Sequence, residues 1–173
     1  MSFAVFMGVS GSGKTTIARG VAERFDWDLL EGDALHPPAN IEKMSHGIPL
    51  TDDDRWPWLR AIAAEIDRKR ALGRSVVVAC SALKRAYRDI LLAGKPDGVL
   101  VYLQGAPDLI AQRMAARKGH FMPPKLLESQ FATLEPPGPD EQPITVSVAP
   151  PPDAIINEVV RRLQARLQTE PAP

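Results

Sequence analysis

Cysteine is nearly absent from the 173-residue chain: Cys80 stands alone. One thiol excludes an internal disulfide and fits a reducing compartment. An excess of either charge is also missing, with 21 Lys plus Arg against 21 Asp plus Glu. Zero net charge leaves no electrostatic footprint for nucleic acid or an anionic membrane, although a local basic site stays open. No apolar run approaches the length of a membrane span. Met1-Ser2 leads straight into apolar Phe3, without the basic region of a signal peptide. A soluble cytoplasmic protein is expected, with neither nucleic acid nor membrane as partner. Internal repeats and low-complexity segments are absent too. The length predicts one domain, 1–173, able to bury about two-thirds of its unfolded surface without a covalent staple.

What is present is organised around Gly8-Val9-Ser10-Gly11-Ser12-Gly13-Lys14-Thr15, which reads G-x-x-x-x-G-K-[ST], the phosphate-binding P-loop. Its context is right. Phe3–Met7 is an apolar run suited to a buried strand, and the residues from Thr15 onward carry Ile17 and Val21 four apart on one helical face. The glycines let the backbone wrap a phosphate with its N–H groups inward, and the helix N-terminus adds partial positive charge. In that motif Lys14 reaches the β/γ-phosphates and the Thr15 hydroxyl ligates Mg²⁺. The dinucleotide fingerprint G-x-G-x-x-G fails, because Thr16 stands where its last glycine belongs.

Further strands are predicted at Trp27–Leu30, Ser75–Ala79, Val99–Leu103 and Ile144–Val148. Helices are predicted over Asn40–Met44, from Thr51 or Asp52 to Gly73, over Leu83–Leu92, from Pro107, over Lys125–Leu134 and from Asp153. Trp58, Ile62 and Ile66 make a buried stripe, with Ile156, Val160, Leu163 and Leu167 as the face of the last helix. Trp56 and Trp58 read as core or hinge rather than ligand platform, and Cys80 as a small buried hydrophobe. Glu135–Pro143, with four prolines and a glycine, reads as a stiff surface connection, and the tail at 169–173 as frayed. Five strands alternating with helices imply a parallel sheet covered on both faces; periodicity does not give the strand order.

Candidate functional residues follow from position. Ligands of open α/β sheets sit beyond the carboxyl ends of the strands, so Glu31 and Asp33 fall near the P-loop. Lys84, Arg85 and Arg88 crowd a helix start, a poor place for cations unless an anion answers them. Arg113, Arg117, Lys118 and His120 form a basic cluster, read as a lid at about 113–135 that carries arginine to a transferring phosphate.

These motifs resemble the gluconokinase family, small P-loop sugar-acid kinases related in fold to shikimate and nucleoside monophosphate kinases. The resemblance rests on Met7–Lys14, Glu31-Gly32-Asp33 with His36-Pro37, Asn40, Lys43-Met44, Gly47, Pro49-Leu50, Asp52, Asp54-Arg55 and Pro57-Trp58-Leu59. It continues through Cys80–Lys84, Tyr87-Arg88, Lys118–Phe121, Ser129-Gln130-Phe131 and Thr133-Leu134-Glu135. It implies a three-layer α/β/α fold with sheet order 2-3-1-4-5 and a helical lid, ATP and Mg²⁺ as cofactors, a homodimer, and phosphorylation of D-gluconate at its 6-hydroxyl. It also implies that Glu31 lies on the metal side, directly or through water, while Asp33 faces the acceptor hydroxyl.

A gluconate carboxylate calls for a planar guanidinium. Arg55 and Arg88 are the preferred candidates, followed by Lys43, Lys84 and His36. The matched motifs add Ser81, His120 and Gln130 on the acceptor side. By analogy Arg117 joins Lys14 in neutralising the transferred group. Arg113 stacks on adenine, opposite the Ala149-Pro150 turn. The P-loop residues Gly8, Val9, Ser10, Gly11, Ser12, Gly13, Lys14, Thr15 and Thr16 hold the nucleotide. A kinase of another acceptor, or a non-catalytic nucleotide switch, would keep the P-loop; a pure binder needs neither Asp33 nor a basic lid.

Overall fold

The computed structural model describes residues 1–116 and 124–169. Five parallel strands form one sheet: β1 (Phe3–Met7), β2 (Asp28–Glu31), β3 (Val76–Ala79), β4 (Gly98–Gln104) and β5 (Ile144–Ser147), in the order β2-β3-β1-β4-β5. Every residue of β1 and β3 is buried, as continuous apolar runs demand when helices cover both faces. Seven α-helices are described: α1 (Lys14–Phe25), α2 (Pro38–Ser45), α3 (Asp52–Ala71), α4 (Arg85–Leu92), α5 (Pro107–Ala116), α6 (Pro124–Thr133) and α7 (Pro152–Thr169). Right-handed crossovers send α3 and α4 to the face opposite α1. α1 packs against α7, and α3 against α4, which completes the three layers.

Local chemistry accounts for these elements. Thr51 accepts from the Asp54 N–H at 3.2 Å while the Asp54 carboxylate accepts from the Thr51 N–H at 2.8 Å, a capping box that starts α3. Asp52, Asp53 and Asp54 occupy its positive end, and Arg68, Lys69 and Arg70 its negative end. Trp58, Leu59, Ile62 and Ile66 are its buried face. α1 buries Ile17, Ala18, Val21 and Ala22.

Several boundaries depart from the sequence reading. β2 runs one residue further, because Glu31 pairs with Ala79 and completes the ladder. α4 begins at Arg85, with Lys84 as its cap residue, since Leu83 is drawn into the core. α7 starts at Pro152, so Asp153 lies in the first turn and is not the cap. Its buried face is Ile155, Ile156, Val159 and Leu163, while Val160 and Leu167 are partly buried. Thr169 is the last residue of α7; the expected fraying of 170–173 lies outside the described residues.

The proline-rich connection does more than span a gap. A 3₁₀ turn at Pro139–Glu141 inserts the Glu141 carboxylate against Arg88, with contacts of 2.6 Å to Nε and 3.1 Å to Nη2. The Arg88 side chain is 2 % exposed. Its Nη1 donates to the carbonyls of Ala82 and Leu83, at 3.0 and 3.1 Å. Ala82 holds a left-handed φ of 44°, a conformation that costs a non-glycine residue on the order of 1 kcal/mol and needs such support. Removing one member of a buried ion pair leaves the other uncompensated. Glu141→Ala is therefore expected to lose about 3–5 kcal/mol of stability by urea unfolding. A loss below about 1 kcal/mol would show that the pair does not clamp this loop.

Candidate active site

The carboxyl ends of β1, β2 and β3 converge on one sheet edge. β1 delivers Gly8, β2 delivers Glu31-Gly32-Asp33 and β3 delivers Cys80-Ser81. The Gly8 N–H donates to the Ser81 carbonyl at 3.2 Å, tying the start of the P-loop to the neighbouring strand end. A side chain at Gly8 would meet the Leu103 carbonyl at 2.9 Å, and one at Gly11, where φ is +80°, would meet the Met114 sulfur. Glycine is required at both points. Lys14 donates to the Gly8 and Val9 carbonyls, at 2.8 and 3.0 Å, inside the loop that it closes. Burial lowers its basicity; Asp33, Cys80 and Glu31 pull the other way. Burial pushes the Cys80 thiol up to about 12, which makes it inert as a nucleophile.

Beside the loop lies a cavity of about 310 Å³. Its wall includes Ser10, Lys14, Asp33, His36, Arg55, Ser81 and Gln130, all singled out from the sequence, together with Ile41, Met44, Leu50, Trp58 and Leu126. The Asp33 carboxylate is 92 % exposed and its Oδ1 lies 3.9 Å from His36 Nε2. Arg55 donates to the Tyr87 hydroxyl at 2.9 Å, and that hydroxyl donates to Asp52. Burial, helped by the bond to Asp52, pushes the Tyr87 phenol up, so it stays a donor. Gln130 of α6 grips the P-loop twice: its Oε1 accepts from the Ser10 N–H at 2.6 Å and its Nε2 donates to Ser10 Oγ at 3.0 Å. Trp58 is core, as expected, but also floor: its Nε1 donates to the Gly32 carbonyl and its ring stacks on His36 at 4.0 Å.

Three cations proposed for the acceptor are held elsewhere. Arg88 is buried on Glu141 and cannot reach a ligand in the cavity. Lys43 binds Asp54 at 2.8 Å, and Lys84 binds Asp52 at 3.1 and 3.2 Å; neither lines the cavity. The anion that the crowded start of α4 demands is thus supplied by the chain itself, which includes Arg85 on Asp140. Arg113 donates to the Ala149 carbonyl at 3.3 Å, which brings it beside the Pro150 turn. Thr16 is exposed in the first turn of α1. Arg117 and His120 lie outside the described residues. Tyr87, Asn40 and Glu141 were missed as supporting groups; only Tyr87 and Asn40 had a sequence signal, as parts of the matched motifs.

Thr15 and Glu31 suit a hard cation. Thr15 Oγ1 donates to Glu31 Oε2 at 3.1 Å, while Glu31 Oε1 is buried and, among the described residues, has no hydrogen-bond partner. Two oxygen ligands beside a phosphate cradle match Mg²⁺, which takes its remaining ligands from water and substrate phosphates. No cluster of three or more His, Cys, Asp or Glu exists among the described residues to hold a metal unaided.

Residues 4–137 match the family described as "AAA domain", a P-loop family. A gluconokinase of Gluconobacter oxydans (strain 621H) is 50 % identical over 163 residues, covering 94 % of this chain and 92 % of that one. The chain belongs to the gluconokinase family. The crystal structure of a gluconokinase from Sinorhizobium meliloti 1021 superposes with a TM-score of 0.86 at 47 % identity, over 98 % of both chains. A shikimate kinase from Bacteroides thetaiotaomicron, 18 % identical over 96 % of this chain and 98 % of its own, superposes at 0.64 and shares the fold. The family's P-loop kinase fold makes this a nucleotide-binding chain, and the expected strand order is the one observed.

The capping box and Lys43 together make Asp54 a pH probe of the junction between α2 and α3. The Lys43 ammonium, then the Thr51 N–H, hold its carboxyl at about 2, below the ordinary 3.8. A depressed carboxyl stabilises the fold above its unfolded value and loses that contribution as pH falls through the folded one. The Tm gap between the native chain and Asp54→Asn should be constant near neutrality and narrow from about pH 4 toward pH 2. A gap that stays unchanged across that window would contradict the assignment.

Proposed function

We propose that the chain transfers the γ-phosphoryl group of ATP to the 6-hydroxyl of D-gluconate, giving 6-phospho-D-gluconate and ADP. One observation carries this reading: a single cavity is walled by the P-loop lysine, Lys14, and by Asp33, His36 and Arg55. An acceptor held there by a carboxylate at Arg55 extends its far hydroxyl toward the phosphate cradle. Membership of the gluconokinase family supports gluconate as that acceptor.

In this reading the backbone from Gly8 to Thr16 wraps the β- and γ-phosphates at the N-terminus of α1. Lys14, released from its two loop carbonyls, neutralises charge on the transferring group. Asp33 orients the 6-hydroxyl and takes its proton on a carboxylate oxygen as the new P–O bond forms. Phosphoryl transfer asks mainly for position and charge, and both come from side chains on rigid strand ends. Arg55 binds the carboxylate, Ser81 and His36 take hydroxyls, and Gln130 links the acceptor to the P-loop. Thr15 and Glu31 would hold Mg²⁺, which when bound would supply positive charge to the phosphates. Arg113 with Pro150 flanks the adenine. Arg117 and His120 are assigned to the transferring group and the acceptor on the family's pattern. A single domain with a lid at about 113–135, acting as a cytoplasmic homodimer, belongs to the same reading.

An ADP-release assay over a panel of acceptors tests the substrate. Gluconate should turn over, while shikimate and nucleoside monophosphates should not; turnover favouring either rival would replace this reading. Arg55→Lys keeps the charge but loses the fork and the Tyr87 contact. It should raise the gluconate KM about tenfold or more with ATP binding little changed. An equal loss for ATP would move Arg55 to the nucleotide. Asp33→Asn should lower kcat by about 10²–10⁴-fold at saturating gluconate. A kcat within about threefold of the parent would leave Asp33 no part in the proton's removal.

A further inference from the structure

Asn40 is a buried polar residue with no assigned role, 3 % exposed on α2. Its side-chain nitrogen Nδ2 makes two contacts. One is to the Asp54 carbonyl at 2.9 Å, the other to His36 Nδ1 at 3.2 Å. A carbonyl only accepts, so the amide cannot be turned about: placing Oδ1 there would set two acceptors against each other. Nδ2 must therefore be the atom facing His36, and it can only donate. His36 Nδ1 then accepts and carries no proton. In a neutral imidazole the proton sits on the other nitrogen, Nε2, the one turned toward Asp33 and the cavity.

The surroundings keep the ring neutral and still. The His36 side chain is 5 % exposed and lies flat on Trp58, with the rings 14° from parallel. Burial lowers its pKa, Asp33 raises it, and Arg55 lowers it again, for a net shift downward. Protonating Nδ1 would also turn it against the Asn40 N–H.

We propose that Asn40 is a positioning residue that locks His36 in the Nε2–H tautomer, so that His36 offers the bound acceptor a hydrogen-bond donor and never an acceptor. This deepens the reading of the cavity as the gluconate site and rests on it. The consequence is selective. An oxygen at this point of the acceptor, whether hydroxyl, carboxylate or carbonyl, satisfies the donor, whereas an ammonium there is refused. The fixed tautomer also spares Asp33 an acceptor neighbour: at 3.9 Å it is the Nε2–H, not a bare ring nitrogen, that faces the carboxylate.

The tautomer can be read directly by ¹⁵N NMR of the histidine-labelled, ligand-free chain. Three histidines are present, and His36→Gln identifies the His36 signals by their loss. Near neutral pH the protonated-nitrogen signal should belong to Nε2, with Nδ1 showing the shift of a bare ring nitrogen. In Asn40→Ala the two nitrogens should move toward averaged shifts. A proton on Nδ1, a charged ring, or an unchanged spectrum in Asn40→Ala would overturn the proposal. Kinetics then read its consequence. His36→Phe keeps the stacking surface but has no donor, and should raise the gluconate KM about tenfold or more, far beyond any change in the KM of ATP. His36→Gln sets an amide N–H near the Nε2 position and should recover most of that loss. A gluconate KM for His36→Phe equal to the parent's, or equal losses in the two variants, would also overturn it. Failure of the substrate reading looks different: the native chain would not turn over gluconate, while its tautomer would still be seen.

Discussion

The pairing of β1 with its two neighbours is the constraint on which the site depends. Phe6 stands opposite Ala79 on one side, and Met7 opposite Tyr102 on the other. That register leaves Gly8 between two strand ends, bonded to the Ser81 carbonyl and too close to the Leu103 carbonyl for any side chain. The chain must turn there, and the only conformations left are those that glycines reach. β2 pairs with β3 in the register that sets Glu31 beside Ala79, so the acidic pair arrives at the same edge. The P-loop and the two carboxylates assigned to metal and acceptor are thus brought to one edge by backbone ladders, before any side chain chooses a rotamer. A slip of one residue would turn Glu31 to the opposite face of the sheet.

Charge is distributed with the same economy. The chain is neutral overall, and most cations around the cavity have a carboxylate of their own within 3.2 Å: Lys43 on Asp54, Lys84 on Asp52, Arg88 on Glu141. Arg55 differs. Its nearest carboxylate, Asp52, is 4.0 Å away and already shared between Lys84 and Tyr87, and its hydrogen bond goes to the neutral Tyr87 hydroxyl. A guanidinium oriented by a phenol, with its nearest carboxylate at the limit of ion-pair distance, keeps its charge only partly compensated. That is the condition in which it gains most from an incoming carboxylate. The paired lysines instead hold α2, α3 and α4 together around the cavity.

Much of this was legible in the sequence, for identifiable reasons. The P-loop is a contiguous motif whose mechanism lies in its backbone, so spacing alone gave its place between β1 and α1. Buried strands show as unbroken β-branched runs, and the Trp58-Ile62-Ile66 stripe shows at helical spacing. Strand order came from family resemblance, because periodicity carries no information about neighbours. Long-range pairings were hidden. Glu141 lies 53 positions from Arg88, in a proline-rich segment that composition marks only as surface, and nothing local says that its carboxylate turns inward. For the same reason Arg88 read as a cation for the acceptor carboxylate, and Trp58 as core or hinge, although burial and a place on the cavity floor are compatible. The hydrogen bond from Asn40 to His36 joins residues four positions apart, yet its direction is decided by a third group, the Asp54 carbonyl.

The central claim is that the acceptor lies in one orientation across the cavity, its carboxylate on Arg55 and its far hydroxyl between Asp33 and the P-loop. A crystal structure of the chain with gluconate and a non-hydrolysable ATP analogue tests this most directly. The account predicts a bidentate carboxylate–Arg55 contact and the 6-hydroxyl within hydrogen-bond reach of Asp33, facing the γ-phosphate. Gluconate bound in the reverse sense, with its carboxylate toward Lys14 and its 6-hydroxyl at Arg55, would contradict it.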